Sequence, residues 1–163
     1  MNRQIEATFD KQTLRRAMLL QLDEMNADER VARSEKICPR IVDCEAWQNA
    51  KRVLLFSSLR TEPQITALQT ASVAAGRETF VIPPTLRIES ELELPFTPDL
   101  VLVPGLAFSR THQRLGRGGG FYDRLLAGRA SPAYKLGVCF SIQLREAIPT
   151  DAHDVVLNDV ITD

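Results

Sequence analysis

The sequence predicts an α/β fold, a three-layer α/β/α arrangement with a mainly parallel sheet, preceded by two N-terminal helices. Three observations predict it. The run Arg52–Ser57 is short, continuous and β-prone, as a strand buried on both faces would be. Further β-prone runs alternate with helical stretches along the chain, which implies βαβ units with right-handed crossovers. Two amphipathic stretches come before the first of these runs.

Taken in order, Leu14, Met18, Leu22 and Met25 recur at three- and four-residue steps, so Asp10 to Met25 should form an amphipathic helix with Asp10 as its cap. A second helix begins near Asp28 and carries Val31, Ile37 and Ile41 on one side. Pro39 should kink or interrupt it, at a cost of about 3 kcal/mol in a regular interior. After the strand Arg52–Ser57 come a helix over Gln64–Ala75 and strands over Glu78–Ile82 and Asp99–Val103. The stretch Pro83–Pro98 holds four of the nine prolines and reads as an irregular loop. A glycine-rich loop then leads into a short helix near Phe121–Leu126. A strand over Lys135–Phe140 and β-prone pieces at Val155-Val156 and Val160–Thr162 complete the chain.

At 163 residues, with 44% hydrophobic and 25% charged residues, the composition fits one domain spanning residues 1–163 with a real core. The formal charge of −1 supplies no global field for wrapping nucleic acid or coating an anionic membrane, so any anion site must be local. The opening residues MNRQIEATFDKQ lack an apolar leader core, and no run approaches the length of a membrane span. A cytoplasmic protein is expected. Cys38, Cys44 and Cys139 show no CxxC spacing and read as reduced thiols.

The segment Val103-Pro-Gly-Leu-Ala-Phe-Ser-Arg-Thr-His-Gln-Arg-Leu-Gly-Arg-Gly-Gly-Gly-Phe-Tyr-Asp-Arg124 carries the chemistry. It follows an expected strand and leads into an expected helix, the end of an open α/β sheet at which ligands bind. Gly116, Gly118, Gly119 and Gly120 leave the backbone unobstructed, so that successive N–H groups can turn toward one anion. Arg110, Arg114, Arg117 and Arg124 crowd the same loop, and guanidinium forks suit phosphate oxygens. The plainer alternative is a tight surface turn with solvated arginines, since the string matches neither GxxxxGK[ST] nor GxGxxG.

RLGRGGGFYDR, with the preceding VPGLAF, resembles the signature loop of the 5-formyltetrahydrofolate cyclo-ligase family. The resemblance extends to Lys11-Gln-Thr-Leu-Arg15, Arg33-Ser34 and Ser58–Glu62, then to Gly137–Phe140, Gln143, Ile148-Pro149, His153-Asp154 and Val160–Thr162. Departures stand beside these matches. Ser109, His112 and Phe121 replace the usual aspartate, glycine and tyrosine, and only about sixteen residues separate Ile82 from Asp99. Family members generally carry a longer insert there, with a Met/Phe-containing element and a Glu-Pro pair that help enclose the pterin.

The resemblance implies ATP-dependent conversion of 5-formyltetrahydrofolate to 5,10-methenyltetrahydrofolate. It places ATP, with Mg²⁺, on Lys11, Arg15, Arg114, Gly116, Arg117, Gly118, Gly119, Gly120, Phe121 and Tyr122. The folate falls to Ser57, Glu62, Arg117, Gly118, Gly119, Gly120 and Phe121, catalysis to Arg117 and Tyr122, and the metal to Asp123 and Asp154. The residues alone leave other roles open: Lys11 and Arg15 as a solvated helix face, Asp123 as a cap, Asp154 as a turn residue, Glu62 as a helix N-terminal acid, and Phe121 or Tyr122 as core. Partners are then 5-formyltetrahydrofolate and ATP, with no nucleic acid and no membrane, in a monomer or weak homodimer. The alternative is a nucleotide-binding or regulatory homologue that has lost or changed the folate activity. A nucleic-acid-binding domain is the poorer third reading, for lack of a long basic track and stacking platforms.

Overall fold

The computed structural model describes residues 10–88 and 92–163, so the reading of the first nine residues lies outside it. Helix α1 (Lys11–Glu24) starts as expected. The Thr13 N–H donates to the Asp10 carboxylate at 2.6 Å, satisfying one of the donors a helix start leaves open. Leu14, Met18 and Leu22 are buried along one face.

Helix α2 (Ala27–Asp43) is capped by Asn26, whose side chain accepts from the Glu29 N–H at 2.9 Å. Of the expected kink or interruption at Pro39, the interruption does not occur: the helix runs through it to Asp43. Pro39 and Glu35 both lie on the exposed side, while Ile37, Cys38 and Ile41 are buried on the other. Packing of that face holds the last turns together despite the lost hydrogen bond. A five-residue helix, α3 (Glu45–Asn49), buries Trp47 under the Arg77 guanidinium. It was not expected, being too short to show a period.

The described strands are β1 (Arg52–Phe56), β2 (Glu78–Ile82), β3 (Leu100–Val103), β4 (Ala107–Ser109), β5 (Arg114–Leu115), β6 (Tyr134–Val138), β7 (Leu144–Arg145) and β8 (Asp159–Ile161). Five of them form a wholly parallel sheet in the order β2-β1-β3-β6-β8. Helix α4 (Thr66–Ala74) connects β1 to β2, and α5 (Phe121–Ala127) lies between β3 and β6. The strands alternate their burial. Val53, Leu55, Leu100, Leu102, Leu136 and Val138 face one core with α1, α2 and α4, whereas Leu54, Val101 and Val103 face a second core with Phe121, Tyr122, Leu125 and Leu126 of α5. The expected three layers are therefore present.

Three features depart from the sequence reading. Strands β4, β5 and β7 make a small second sheet within and beyond the glycine-rich segment, too short to signal as strands. Val155-Val156 forms no strand, and Val156 is exposed. Part of the expected Pro83–Pro98 loop is a 3₁₀ turn over Pro84–Ile88, while residues 89–91 within it lie outside the description.

Candidate active site

In the order β2-β1-β3, the connections from β1 to β2 and onward to β3 run to opposite sides of β1. Sheets of this kind open a crevice at the carboxyl ends of their strands where the order reverses. A cavity of about 510 Å³ lies there, within the size range of small-ligand sites. Leu59 and Glu62 after β1, Pro84 and Arg87 after β2, and Pro104 and Gly105 after β3 line it. Lys11 and Arg15 of α1, the loop Arg114–Asp123, and Asp151, His153 and Asp154 complete the wall.

The glycine loop is shaped by its φ angles. Gly118 has φ of 109° and Gly120, the residue before α5, has φ of 70°, conformations that a side chain disfavours. A Cβ on Gly120 would also meet Arg124 Nη1 at 2.8 Å. Arg15 Nε donates to the Gly116 carbonyl at 2.9 Å, which ties α1 to the loop. Lys11 and Arg15, one helical turn apart, thus reach the same cavity. Of the four loop arginines, Arg114 and Arg117 line it. Arg110 instead pairs with Glu146 on the exposed surface, and Arg124 donates to the Gly119 carbonyl.

Arg114 is buried. Its Nη1 donates to the Pro104 carbonyl at 3.1 Å, Nη2 lies 3.5 Å from Asp123, and the guanidinium lies 5.4 Å from the Tyr122 ring centroid. Burial pulls its pKa below the usual arginine range, against the pull of Asp123. Burial also pushes the Tyr122 phenol well up, with Arg87 and Arg114 opposing. Tyr122 therefore stays neutral, and its buried hydroxyl has no hydrogen-bond partner among the described residues. Such a group can give or take a hydrogen bond but cannot serve as a base near neutrality. Phe121 meets Tyr122 edge to face, with centroids 5.1 Å apart.

Glu62, also on the cavity wall, is 2% exposed. A buried carboxylate must be paired to stay ionised. Arg87 pairs with it through two contacts, Nη1 to Oε1 at 2.7 Å and Nη2 to Oε2 at 3.1 Å, while the Leu59 N–H donates to Oε2 at 2.9 Å. Arg117 Nε lies 3.8 Å from Oε1, and its Nη2 donates to the Thr61 hydroxyl at 2.6 Å. Ser57 is not on the wall of this cavity. Its carbonyl accepts from Arg87 Nη2 at 2.6 Å, and the residue borders a separate, smaller hollow. Sequence reasoning missed Arg87, whose only signal was a single arginine in a Pro-rich stretch read as loop.

Asp123 and Asp154 both line the cavity, with different partners. Asp123 faces Arg114 and accepts from the Val155 N–H at 3.3 Å. Asp154 accepts from the Asp151 N–H and from Lys11 Nζ, which lies 2.5 Å from oxygens of both Asp151 and Asp154. Burial would raise Asp154, but Lys11 and the Asp151 N–H hold it below the usual carboxylate range. Donor atoms of Asp151, His153 and Asp154 fall within 4.8 Å of one another, a grouping that includes Asp154 but not Asp123. The carboxylates suit a hard cation such as Mg²⁺, and the ammonium between them already occupies a cation's place. The imidazole is the member that fits a hard ion least well.

Two departures from the family loop have local explanations. The Ser109 hydroxyl accepts from the Gln113 N–H at 3.1 Å, the turn bond that an aspartate side chain also makes. His112 has φ of 63°, the left-handed conformation that glycine adopts freely. Neither residue lines the main cavity.

Residues 7–98 and 93–163 match the model of the 5-formyltetrahydrofolate cyclo-ligase family. A 5-formyltetrahydrofolate cyclo-ligase from Mus musculus is 24% identical over 187 residues, spanning 93% of this chain and 92% of its own. One from Mycolicibacterium smegmatis is 45% identical over 64 residues, 39% of this chain and 33% of that protein. The solved 5,10-methenyltetrahydrofolate synthetase of Mycoplasma pneumoniae has a TM-score of 0.78 at 22% identity, covering 94% of this chain and 99% of that one. For the Aquifex aeolicus synthetase the TM-score is 0.74 at 24% identity, covering 93% and 88%. At these identities the structural likeness shows the fold.

Proposed function

The chain belongs to the 5-formyltetrahydrofolate cyclo-ligase family, and on that premise we propose that it converts 5-formyltetrahydrofolate to 5,10-methenyltetrahydrofolate, with ATP giving ADP and phosphate. The observation that carries this reading is a single cavity that gathers phosphate-directed groups and the buried Glu62 carboxylate in one lining. In the reaction the formyl oxygen takes the γ-phosphoryl group of ATP. N10 then attacks the activated carbon, the carbon–oxygen bond breaks, and phosphate leaves as N10 gives up its proton.

Such a transfer is accelerated by alignment and by cations on the transferring group. Lys11, Arg15, Arg114 and Arg117 supply the cations, and Gly116, Gly118, Gly119 and Gly120 supply backbone approach. Glu62 accepts a hydrogen bond from the polar edge of the pterin, and Phe121 and Tyr122 offer flat faces to the ring systems. Asp154 and Asp151 would hold Mg²⁺ in the place that Lys11 takes between them, with Asp123 on the same cavity wall; the ion would neutralise phosphate charge when bound. A cytoplasmic setting and a monomer or weak homodimer complete the proposal.

The test is absorbance in the methenyl-folate band as protein, 5-formyltetrahydrofolate and Mg-ATP are mixed. The rise should require ATP and should fall by at least tenfold with Asp123→Ala. No rise with wild-type protein that still binds ATP would sink the cyclo-ligase reading.

A further inference from the structure

We propose that Arg87 is a positioning residue for substrate recognition, fixing the Glu62 carboxylate so that one acceptor site on Oε1 faces the folate. This rests on the reading of Glu62 as the folate-facing carboxylate. The two residues are 25 apart in sequence and come from the ends of different strands.

An ionised carboxylate offers about four acceptor sites. On Oε2 both are used, by the Leu59 N–H and by Arg87 Nη2; on Oε1 only Arg87 Nη1 is within hydrogen-bond distance. One site is left, and Glu62 lines the cavity. The guanidinium is itself held, by its bond to the Ser57 carbonyl and by the Phe56 and Tyr122 rings at 5.6 and 5.9 Å from its carbon. A planar fork fixed at both ends sets the rotation of the carboxylate as a lone ammonium would not. Arg87 sits on the 3₁₀ turn Pro84–Ile88 at the start of the β2–β3 connection, so this link contributes a group that shapes the folate contact.

The experiment measures dissociation constants for 5-formyltetrahydrofolate and for Mg-ATP by calorimetry, with thermal unfolding alongside, for Arg87→Met, Arg87→Lys, Glu62→Gln and the double variant Arg87→Met/Glu62→Gln. Arg87→Met should weaken folate binding at least tenfold and Arg87→Lys by an intermediate factor, with ATP binding changed less than twofold. In the Glu62→Gln background, Arg87→Met should add less than twofold, because its effect runs through that carboxylate. Equal loss of both ligands, or additive losses in the double variant, would make Arg87 merely structural and overturn the proposal. Unchanged folate affinity would do the same. If Arg87→Met does not fold, Arg87→Lys decides alone, and wild-type folate affinity in it rejects the idea. Should Glu62→Gln itself lose no folate affinity, the failure lies in the reading of Glu62, and the positioning role falls with it.

Discussion

His112 turns the β4–β5 hairpin with φ of 63°, and that one angle has a measurable consequence. The left-handed conformation costs a non-glycine residue about 1 kcal/mol, partly offset by glycine's greater freedom in the unfolded chain. His112→Gly should therefore stabilise the protein by about 0.5 kcal/mol, read as a higher urea midpoint. A lower midpoint would mean that the imidazole, 3.7 Å from Asp159, contributes more than the backbone loses. The same scale marks where the sequence was least legible. Lys11, Glu62 and Asp154 could be picked out because a family loop and its flanks resemble this chain. Their ionic partners, Arg87 on Glu62 and Asp151 on Lys11, could not, since each pairing joins segments that only the folded sheet brings together.

At the level of elements, α2 carries its own test. Pro39 interrupts the hydrogen-bond ladder on the exposed side, so Pro39→Ala should raise stability by about 1–3 kcal/mol. The sequence located α1 and α2 by their apolar period, and α4, α5 and the five parallel strands as helical or β-prone runs. It missed α3, β4, β5 and β7, short pieces without such a run, and α2 continues past Pro39 with Ile37, Cys38 and Ile41 burying its inner face. Another element-level link joins α2 to the end of β8. Arg33 Nη1 donates to Asp163 at 2.8 Å, and the Ser141 N–H donates to the same carboxylate at 2.8 Å. Burial would raise Asp163, but these partners hold it below its usual value. A depressed carboxylate contributes stability that is complete above the unfolded value of about 3.9 and is lost as pH falls through the folded value. Asp163→Asn should thus be less stable at pH 7 and show a shallower acid decline below pH 5. Urea midpoints across that range check it, and parallel curves would refute it.

Across the whole molecule, a net charge of −1 surrounds a cavity whose lining includes Lys11, Arg15, Arg114 and Arg117. Attraction of a polyanion is therefore local, and its effect on the fold follows from mass action. A ligand at a hundred times its dissociation constant stabilises the folded state by about 2.7 kcal/mol, which for a chain of this size raises the melting temperature by roughly 5–10 °C. Mg-ATP and 5-formyltetrahydrofolate, each added alone at that excess, should both produce such a rise, because the cavity presents groups suited to each. The folate arm is the more demanding of the two, because it tests the reading of Glu62. A rise with Mg-ATP and none with 5-formyltetrahydrofolate would favour a nucleotide-binding homologue whose folate activity has been lost or changed. Rises from both, each reduced by substitutions of cavity-lining residues, would support a site that takes both reactants, which phosphoryl transfer between them requires.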